Sequence, residues 1–312
     1  RLSNRFGSVP LVIDAATVGI RDLEASVVPG SLRQLTFGGD TSVAIAAGAK
    51  AYSDPVRLEV ADEADLAISL YVSENNTDGS TLHTRAWQTS YISGPGDFTA
   101  EDSIDVEATT TSWFWITGVD VLAHRKTFAA VTLGDSITEG CCLDEFVDAN
   151  VRYPDELARL LLARYRGKPR VGVLNAGISG NRVLNNTFGP NAQGRLDADV
   201  LTQSGATHVI LLEGVNDLGL GMADLGGGFV LGPVVEADEF EMLVDKTLEM
   251  VNGRVPVFVG VGGNYTAKVL KSLKLVEQYG VNGVLSVCPY YNRPGQEGLY
   301  RHFLEISQAT DL

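Results

Sequence analysis

Three segments of the sequence carry residue types that could together hydrolyse an ester. Ser136 ends the triplet Gly-Asp-Ser, Gly180 lies in Asn-Ala-Gly-Ile-Ser-Gly-Asn, and Asn216 lies in Gly-Val-Asn-Asp. A serine hydroxyl is a candidate nucleophile. A backbone N–H that glycine leaves accessible, and a carboxamide NH2, can hold the oxyanion that forms when a carbonyl carbon is attacked. The combination indicates acyl transfer.

Each of the three residues also has a structural interpretation. Gly-Asp-Ser is common where a turn leads into a helix N-cap, Asn-Asp is common in turns, and Gly180 could simply permit a positive φ. Their positions favour chemistry, because Ser136, Gly180 and Asn216 follow three successive predicted strands. The carboxyl ends of parallel strands meet at one edge of a sheet, where ligands bind in open α/β folds.

Short apolar runs alternate with amphipathic segments from residue 128 onward. This alternation predicts parallel strands joined by right-handed crossover helices, and therefore an α/β sheet covered on both faces. A glycine-rich stretch over 221–233 interrupts the pattern. The predicted strands span 128–134, 171–177, 207–214, 255–262 and 281–289, and the predicted helices span 154–166, 237–251, 265–279 and 296–309.

Residues 1–126 have the pattern of antiparallel β-structure. Apolar and polar residues alternate over 66–72, as in a half-buried strand, and clusters of Gly, Pro, Asn and Asp separate the apolar runs. The run over 112–121 is apolar on both faces, which predicts a strand buried between layers. We expect an antiparallel sandwich that ends at a polar hinge over 124–126.

The composition argues against several classes of partner. The 312 residues include 24 Lys and Arg against 39 Asp and Glu, for a formal net charge of −15. This balance argues against nucleic-acid binding, which requires a basic surface, and against docking on an anionic membrane. No run approaches the roughly 18 to 20 apolar residues that span a bilayer. We expect a soluble protein, without a leader segment and with both chain ends cut.

Three cysteines are too few for a disulfide framework, and they leave the cellular compartment open. Cys141 and Cys142 are adjacent and follow the Ser136 turn, so a vicinal disulfide that gates the site is one interpretation. Two ordinary thiols in a loop are the simpler one. Cys288 lies in a predicted strand and is expected to be a small buried residue.

At these motifs the sequence resembles the SGNH (GDSL-type) hydrolases, whose blocks include Gly-Asp-Ser and Gly-x-Asn-Asp. The resemblance extends from residue 1 to about 230 and includes an N-terminal β region, as in a bacterial subset of that family. It implies that Ser136 is the nucleophile of an ester hydrolysis through an acyl-serine intermediate. It also implies that the N–H groups of Ser136 and Gly180 and the side chain of Asn216 hold the oxyanion, with no metal or organic cofactor.

The resemblance further implies a catalytic base, normally a histidine three residues after an aspartate. No Asp-x-x-His follows Asp217. His208 begins a predicted strand at the end opposite the site and is interpreted as structural. His83 and His124 have no motif that would bring them to Ser136.

His302 is the histidine in the expected region, near the end of the sequence, and it is the candidate base. The alternative is a histidine packed on the inward face of the last predicted helix with Leu299 and Ile306. If His302 acts as the base, Glu297 or Glu305 would have to orient its ring.

From about residue 236 the sequence resembles dihydrodipicolinate synthase, of the N-acetylneuraminate lyase family of (β/α)8 barrels. The string PYYNRPGQEGLYRHF carries this resemblance, and it implies that Tyr291 belongs to a proton relay, often across a subunit interface. The Schiff-base lysine of that family would lie downstream of residue 312, and its Gly-Thr-Thr-Gly-Glu loop is absent upstream. Aldolase chemistry is therefore not expected. The lysines of the segment are expected on solvated helix surfaces: Lys246, Lys268, Lys271 and Lys274.

The two resemblances together indicate a chimera of three pieces. These are an antiparallel β-sandwich (jelly-roll-like) accessory domain over 1–126, an SGNH hydrolase core over 127–235 and a dihydrodipicolinate-synthase-like βαβα segment over 236–312. Both parent folds use parallel strands with right-handed crossovers. The last two pieces are therefore expected to form one flavodoxin-like, three-layer α/β/α domain.

The leading hypothesis is a serine esterase that hydrolyses short-chain acyl or aryl carboxylic esters, including acetylated sugars. The alternative is a catalytically impaired protein that binds through its β domain or assembles through its C-terminal segment. Apart from the small-molecule ester, we expect no cofactor, no nucleic acid and no membrane partner. A homodimer is expected through an exposed surface at Tyr290 and Tyr291.

Overall fold

The computed structural model describes residues 1–73, 80–123, 125–140, 147–165, 171–219, 237–254, 256–263, 265–289 and 294–312. The chain divides into two compact units. The first is Arg1–Leu122 with Val147–Ala149, and the second is Ala123–Phe146 with Asn150–Leu312. The predicted pieces 127–235 and 236–312 therefore fall within one compact unit.

The first unit is built from short antiparallel strands. In the described residues they are β1 (Leu2–Ser3), β2 (Leu11–Ile13), β3 (Ala15–Ile20), β4 (Arg33–Gln34), β5 (Val43–Ile45), β6 (Lys50–Ala51), β7 (Leu66–Tyr71), β8 (Leu82–His83), β9 (Ser90–Ser93), β10 (Val106–Thr110) and β11 (Trp113–Phe114). They pair in the orders β1-β6, β2-β5, β4-β3-β7, β10-β9 and β11-β8. The apolar core of this unit includes Leu2, Leu11, Ile13, Ala16 and Ile45.

The prediction of a buried strand over 112–121 is wrong. Within that run the strand is Trp113–Phe114, and Val121 is 63% exposed. The backbone that follows this strand pairs briefly with the start of the chain, through an antiparallel bridge between Leu2 and Ile116. The amino group of Arg1 donates to the carbonyl of Gly118 at 2.9 Å. An apolar pattern alone could not predict this contact across the length of the unit.

The second unit contains a five-stranded parallel sheet with helices in its crossovers. Its elements are β12 (Phe128–Gly134), α1 (Ser136–Glu139), α2 (Tyr153–Arg164), β13 (Val171–Gly177), α3 (Ala192–Leu196), β14 (Ala206–Leu212), α4 (Val215–Gly219), α5 (Ala237–Val251), β15 (Val257–Gly260), α6 (Thr266–Val276), β16 (Gly283–Leu285) and α7 (Gln296–Gln308). A π-helical turn over Asp197–Leu201 continues α3, and a 3-10 turn over Glu277–Tyr279 continues α6. The mixed α/β fold class predicted from the sequence is confirmed.

The strand order of this sheet is β13-β12-β14-β15-β16, and every pair is parallel. Numbered along the chain, this is the order 2-1-3-4-5 of flavodoxin-like sheets. In such a sheet the direction of winding reverses between the first and third strands, and ligands bind in the crevice at that point. Here the crevice lies between the ends of β12 and β14.

The C-terminal segment adds two strands to the same sheet. β15 pairs with β14 in a register that sets Val257 beside Val209 and Val259 beside Leu211. The elements predicted over 237–309 are present, although the two strands are shorter than predicted. The buried residues that hold this part together are Val244, Val251, Val257, Val259, Val261, Val269, Leu273, Val276, Val281 and Ile306.

Cys288 and the glycine-rich stretch are two further features of this unit that the sequence analysis singled out. The expectation that Cys288 is buried is wrong, because β16 ends at Leu285 and Cys288 lies exposed beyond it. The glycine-rich stretch over 221–233 lies outside the described residues. Within the described part, no helix is long and apolar enough to cross a bilayer.

Candidate functional site

The strand register brings the three predicted segments to one edge of the sheet. Gly134, the last residue of β12, pairs with Gly177 of β13 on one side and with Leu212 of β14 on the other. All three strands are parallel and end at the same level. The turns that carry Ser136, Gly180 and Asn216 therefore leave the sheet at its carboxyl edge.

Asp135 and Gly177 set the conformation of the Ser136 turn. The carboxylate of Asp135 caps α1 by accepting a hydrogen bond from the N–H of Ile137 at 2.9 Å. A Cβ at Gly177 would lie 2.2 Å from the backbone nitrogen of Glu139, so only glycine lets α1 pack this closely on β13. Ser136 is half-buried at the start of α1. Its hydroxyl makes no hydrogen bond to another described residue.

Gly180 occupies a conformation that only glycine adopts readily. Its φ is +70°, and a Cβ there would lie 2.3 Å from the ring of Phe188. The carbonyl of Gly180 accepts a hydrogen bond from the hydroxyl of Thr187 at 2.8 Å. Its N–H donates to none of the described residues, so this group remains available to a ligand.

Asn216 and Asp217 hold the loop that follows Gly180. The Asn216 side-chain nitrogen donates to the carbonyl of Asn181 at 2.9 Å. Both carboxylate oxygens of Asp217 lie 3.1 Å from the N–H of Val183, which donates to them. A carboxamide carries two N–H donors. One donor of Asn216 therefore positions the loop, and the second makes no hydrogen bond to a described residue.

His302 is buried within the pair of helices α6 and α7 and makes no hydrogen bond to Ser136. Its Nδ1 lies 2.8 Å from the hydroxyl of Thr266, and its Nε2 has no hydrogen-bond partner among the described residues. The side chain of Glu297 accepts from Arg301 at 2.7 Å, and Glu305 is exposed. Among the described residues no carboxylate therefore orients the ring, and the role of His302 as base stays a prediction.

The other histidines have no hydrogen bond to Ser136 in the described part of the chain. His208 lies near the start of β14, where its Nδ1 is 2.8 Å from the hydroxyl of Thr207 and its ring is 5.0 Å from that of Phe128. His83 lies in β8 of the first unit. The remaining predictions fall on residues outside the described ranges: His124, Cys141, Cys142, Tyr290 and Tyr291.

Sequence reasoning missed Arg195, which connects the three segments of the site. The side chain is 1% exposed, and its guanidinium donates to the carbonyls of Gly134 at 2.9 Å and Ala176 at 2.6 Å. It also donates twice to the side-chain oxygen of Asn181, at 2.9 and 2.8 Å. Helical spacing could have indicated its burial, because Arg195 lies three residues after Ala192, on the buried side of α3.

Two carboxyl groups contact this guanidinium, the buried Glu213 and the half-buried Asp199. Glu213 and Asp199 accept from Arg195 at 3.3 and 3.2 Å. Burial, followed by repulsion from Asp135, raises the pKa of Glu213 to about 8. Burial also raises the pKa of Asp135 to about 6, against the hydrogen bond from Ile137. At neutral pH Glu213 is therefore mostly protonated, which limits the negative charge beside Arg195.

Two hydrogen-bonded pairs of polar side chains complete the surroundings of α1. The hydroxyls of Thr138 and Tyr153 lie 3.2 Å apart, and burial raises the pKa of Tyr153 to about 12. The buried side chain of Glu139 accepts a short hydrogen bond from Ser179. Among the described residues, no group of three or more His, Cys, Asp and Glu side chains has the arrangement of a metal site.

A model of the Dihydrodipicolinate synthetase family matches residues 191–312. The match begins well before residue 236, where the resemblance was expected to start, and it therefore includes β14 and Asn216. The 4-hydroxy-tetrahydrodipicolinate synthase of Thermotoga petrophila is 58% identical over 80 residues, which cover 26% of this chain and 27% of the relative. That of Porphyromonas gingivalis is 34% identical over 117 residues, covering 38% and 35% of the two chains.

Solved structures give two partial similarities. A dihydrodipicolinate synthase from Thermotoga maritima is 38% identical with a TM-score of 0.31, over 42% of this chain and 41% of that chain. An SGNH-hydrolase family esterase is 19% identical with a TM-score of 0.37, over 59% of this chain and 94% of that chain. With TM-scores of 0.31 and 0.37, neither similarity carries an argument about the fold.

The comparisons therefore show a similarity for part of the chain. Residues 191–312 are similar to the dihydrodipicolinate synthetase family. The chain spans about a quarter of the length of the Thermotoga petrophila relative, at 27%. The activity of the chain must consequently be inferred from its own residues.

Proposed function

We propose that the protein is a serine ester hydrolase, with Ser136 as the nucleophile. The observation that carries this proposal is the strand register, because Gly134, Gly177 and Leu212 end three adjacent strands side by side. The N–H groups of Ser136 and Gly180 and the second donor of the Asn216 carboxamide supply three positive partial charges at this edge. Such donors stabilise the oxyanion of a tetrahedral intermediate.

In the proposed reaction the Ser136 oxygen forms a bond to the carbonyl carbon of the ester and loses its proton. The carbonyl oxygen becomes the oxyanion, which the three donors hold. Collapse of this intermediate breaks the bond to the alcohol oxygen, and the alcohol leaves with a proton. Water then attacks the acyl-serine by the same route and releases the carboxylic acid.

The hydroxyl proton of Ser136 has no protein acceptor in the proposed reaction and passes to solvent. This follows from the surroundings of Ser136, since none of the described histidines is hydrogen-bonded to it. Hydrolysis should therefore be slow. An oxyanion hole that lacks a complete triad retains about 10³- to 10⁴-fold catalysis over water in well-studied hydrolases. We expect a rate enhancement over the uncatalysed reaction of about this size.

Exposed apolar side chains beside the three residues favour an apolar substrate. Ile137 follows Ser136 and Val215 precedes Asn216, and the ring of Phe188, which is 72% exposed, packs against Gly180. An acyl or aryl group would cover this apolar surface, whereas an acetylated sugar would leave much of it exposed to water. Short acyl and aryl esters are therefore the proposed substrates.

The finer architecture belongs to the same proposal. The antiparallel sheets of residues 1–126 would form a β-sandwich accessory domain. The parallel sheet would be an SGNH-type α/β/α domain, completed by the C-terminal segment. The order β13-β12-β14-β15-β16 supports the second part, because it sets the proposed nucleophile at the crevice between β12 and β14.

The similarity of residues 191–312 to a synthase family does not lead us to propose its lysine chemistry. A Schiff-base lysine reacts as a neutral amine, which needs a lowered pKa. Glu249 instead raises the pKa of Lys246. The lysines of α5 and α6 are exposed: Lys246, Lys268, Lys271 and Lys274.

Hydrolysis of p-nitrophenyl acetate tests the proposal. The wild-type protein should hydrolyse the ester above the buffer rate, and Ser136→Ala should remove that excess. Ser307→Ala, which changes an exposed serine of α7, is the matched control and should behave as wild type. Equal rates in Ser136→Ala and wild type would contradict the proposal. A folded wild-type protein without turnover would favour the alternative of a binding protein that lacks a catalytic base.

A further inference from the structure

We propose that Arg195 is a positioning residue that sets the geometry of the oxyanion hole. This inference rests on the proposed function and adds a residue that no motif contains. The argument begins from its burial. A guanidinium cannot lose its charge in a protein, so a buried one requires acceptors around it. Acceptors of Arg195 lie in the segments of Ser136 and Gly180, and Asn181 in turn bonds to Asn216 of the third segment.

The first two acceptors are backbone carbonyls at the ends of neighbouring strands. Arg195 donates to the carbonyl of Gly134, two residues before Ser136, at 2.9 Å. It donates to the carbonyl of Ala176, at the end of β13, at 2.6 Å. The same guanidinium thus ties the turn that carries the nucleophile to the strand that leads to Gly180.

The third acceptor connects Arg195 to both remaining oxyanion donors. The Asn181 side chain is fully buried, and its oxygen accepts from the Nε and from one terminal nitrogen of Arg195 at 2.9 and 2.8 Å. Asn181 follows Gly180 directly, and its carbonyl accepts from the Asn216 carboxamide at 2.9 Å. A displacement of Asn181 would therefore move the Gly180 N–H and the Asn216 side chain together.

The carboxyl groups of Asp199 and Glu213 complete the contacts and hold the guanidinium in place. The planar guanidinium has five donors in a rigid fork, and these contacts use three of its nitrogens. The lysine ammonium has three donors on a flexible stem and cannot meet the same acceptors. Arg195→Lys should therefore keep the charge but lose the geometry, which separates positioning from simple charge balance.

The test compares Arg195→Lys with Arg301→Lys, a control on the exposed face of α7, in steady-state hydrolysis of p-nitrophenyl acetate. In other serine hydrolases, removal of one oxyanion donor lowers kcat by about 10²- to 10³-fold. Displacement of the donors should therefore lower kcat by at least about tenfold. Because Arg195 does not contact the substrate, KM should change less than about twofold. Arg301→Lys should leave both parameters unchanged.

Asn181→Leu provides a second variant, because it removes the link from Arg195 to the two donors and leaves the guanidinium in place. We expect the same loss of kcat with a similar KM. Circular dichroism would establish that each variant is folded. Retention of kcat within about twofold in either folded variant would overturn the inference. If neither variant folds, Arg195 acts in stability and the inference is also overturned.

The failure of this inference can be told apart from failure of the proposed function. Hydrolysis that Ser136→Ala abolishes, together with an unchanged kcat in Arg195→Lys, would overturn the role of Arg195 alone. A wild-type protein without hydrolysis that depends on Ser136 would overturn the proposed function, and the role of Arg195 with it.

Discussion

The two ends of the parallel sheet differ in what they bury. The part around β12, β13 and β14 buries several polar side chains: Thr132, Asp135, Thr138, Glu139, Asn181 and Arg195. From residue 237 onward, within the described ranges, His302 is the buried polar side chain, and the rest of the core is valine, leucine and isoleucine. One sheet thus has a polar region and an apolar region.

Under the proposed function, this difference separates the reacting groups from the residues that support the sheet. A buried polar group lowers stability unless hydrogen bonds compensate for its lost hydration. The polar region compensates through Arg195, which has five acceptor groups within 3.3 Å. The apolar region gains stability from burial directly. We therefore assign positioning of the reacting groups to the first three strands and support of the sheet to the last two.

Truncation of the apolar region should change stability and leave the chemistry intact. Leu273 is fully buried in α6, and Leu273→Ala should lower the free energy of unfolding by about 2–5 kcal/mol. Leu160→Ala is the matched control, since Leu160 is 68% exposed, and should stay within about 0.5 kcal/mol of wild type. Urea unfolding measures both. A lower rate of ester hydrolysis by folded Leu273→Ala would show that the two regions are coupled.

Removal of a hydrogen-bond donor in the polar region should instead lower the rate of ester hydrolysis. Asn216→Ala should lower kcat for ester hydrolysis by about 10²- to 10³-fold, because the oxyanion loses one of its donors. Asn185→Ala, which removes an exposed carboxamide from the loop after Gly180, should retain the wild-type rate. Steady-state kinetics of both variants decide the matter. Equal rates in the two would exclude Asn216 from the oxyanion hole.

The apolar region was the easier one to predict from the sequence. The helix predicted over 237–251 is Ala237–Val251, and the predicted strands over 255–262 and 281–289 are present in shortened form. Each element there follows from a local pattern. The run over 112–121 shows where such a pattern fails, because the strand ends at Phe114 and the backbone after it makes only a short antiparallel bridge to Leu2.

The polar region could be predicted only where a motif marks it. Ser136, Gly180 and Asn216 were found because strand ends and glycines point to a common edge. Arg195 and Glu213 were missed, because charged residues in a sequence are expected on the surface. The burial of Arg195 depends on acceptors such as Asn181, which come from other segments of the chain. Helical spacing indicates only that Arg195 faces the core and does not identify these acceptors.

The buried carboxyl of Glu213 should make the stability of the polar region depend on pH. Its pKa is raised to about 8 by burial, so the folded protein binds this proton more tightly than the unfolded chain does. The corresponding stability is present in full below the unfolded pKa of about 4.5 and is lost as the pH rises through about 8. Between about pH 6 and pH 8 this amounts to about 2 kcal/mol.

Glu213→Gln isolates this contribution from that of the other acidic residues. The amide oxygen can still accept from Arg195, and it has no proton to lose. The difference in free energy of unfolding between the variant and wild type should therefore shift in favour of the variant as the pH rises. Urea unfolding at several pH values measures it. A difference that stays constant with pH would show that Glu213 is ionised throughout.

His302 provides the finest test of the comparison, because it is the polar side chain buried in the apolar region. Its Nδ1 contacts Thr266 at 2.8 Å, while its Nε2 is buried without a hydrogen bond among the described residues. In His302→Phe an apolar ring replaces the unpaired nitrogen, and the half-buried Thr266 hydroxyl can turn to water. Stability should therefore change by no more than about 1 kcal/mol.

The rate of ester hydrolysis by His302→Phe decides whether chemistry is confined to the polar region. If His302 is only packed between α6 and α7, the rate should stay within about twofold of wild type, because general base catalysis would otherwise contribute about 10²- to 10⁴-fold. Phe303→Leu is the control for a change in packing, since Phe303 contacts the His302 ring edge to face. A large loss in His302→Phe alone would mean that this ring reaches Ser136 during turnover. The apolar region would then supply the base that the polar region lacks.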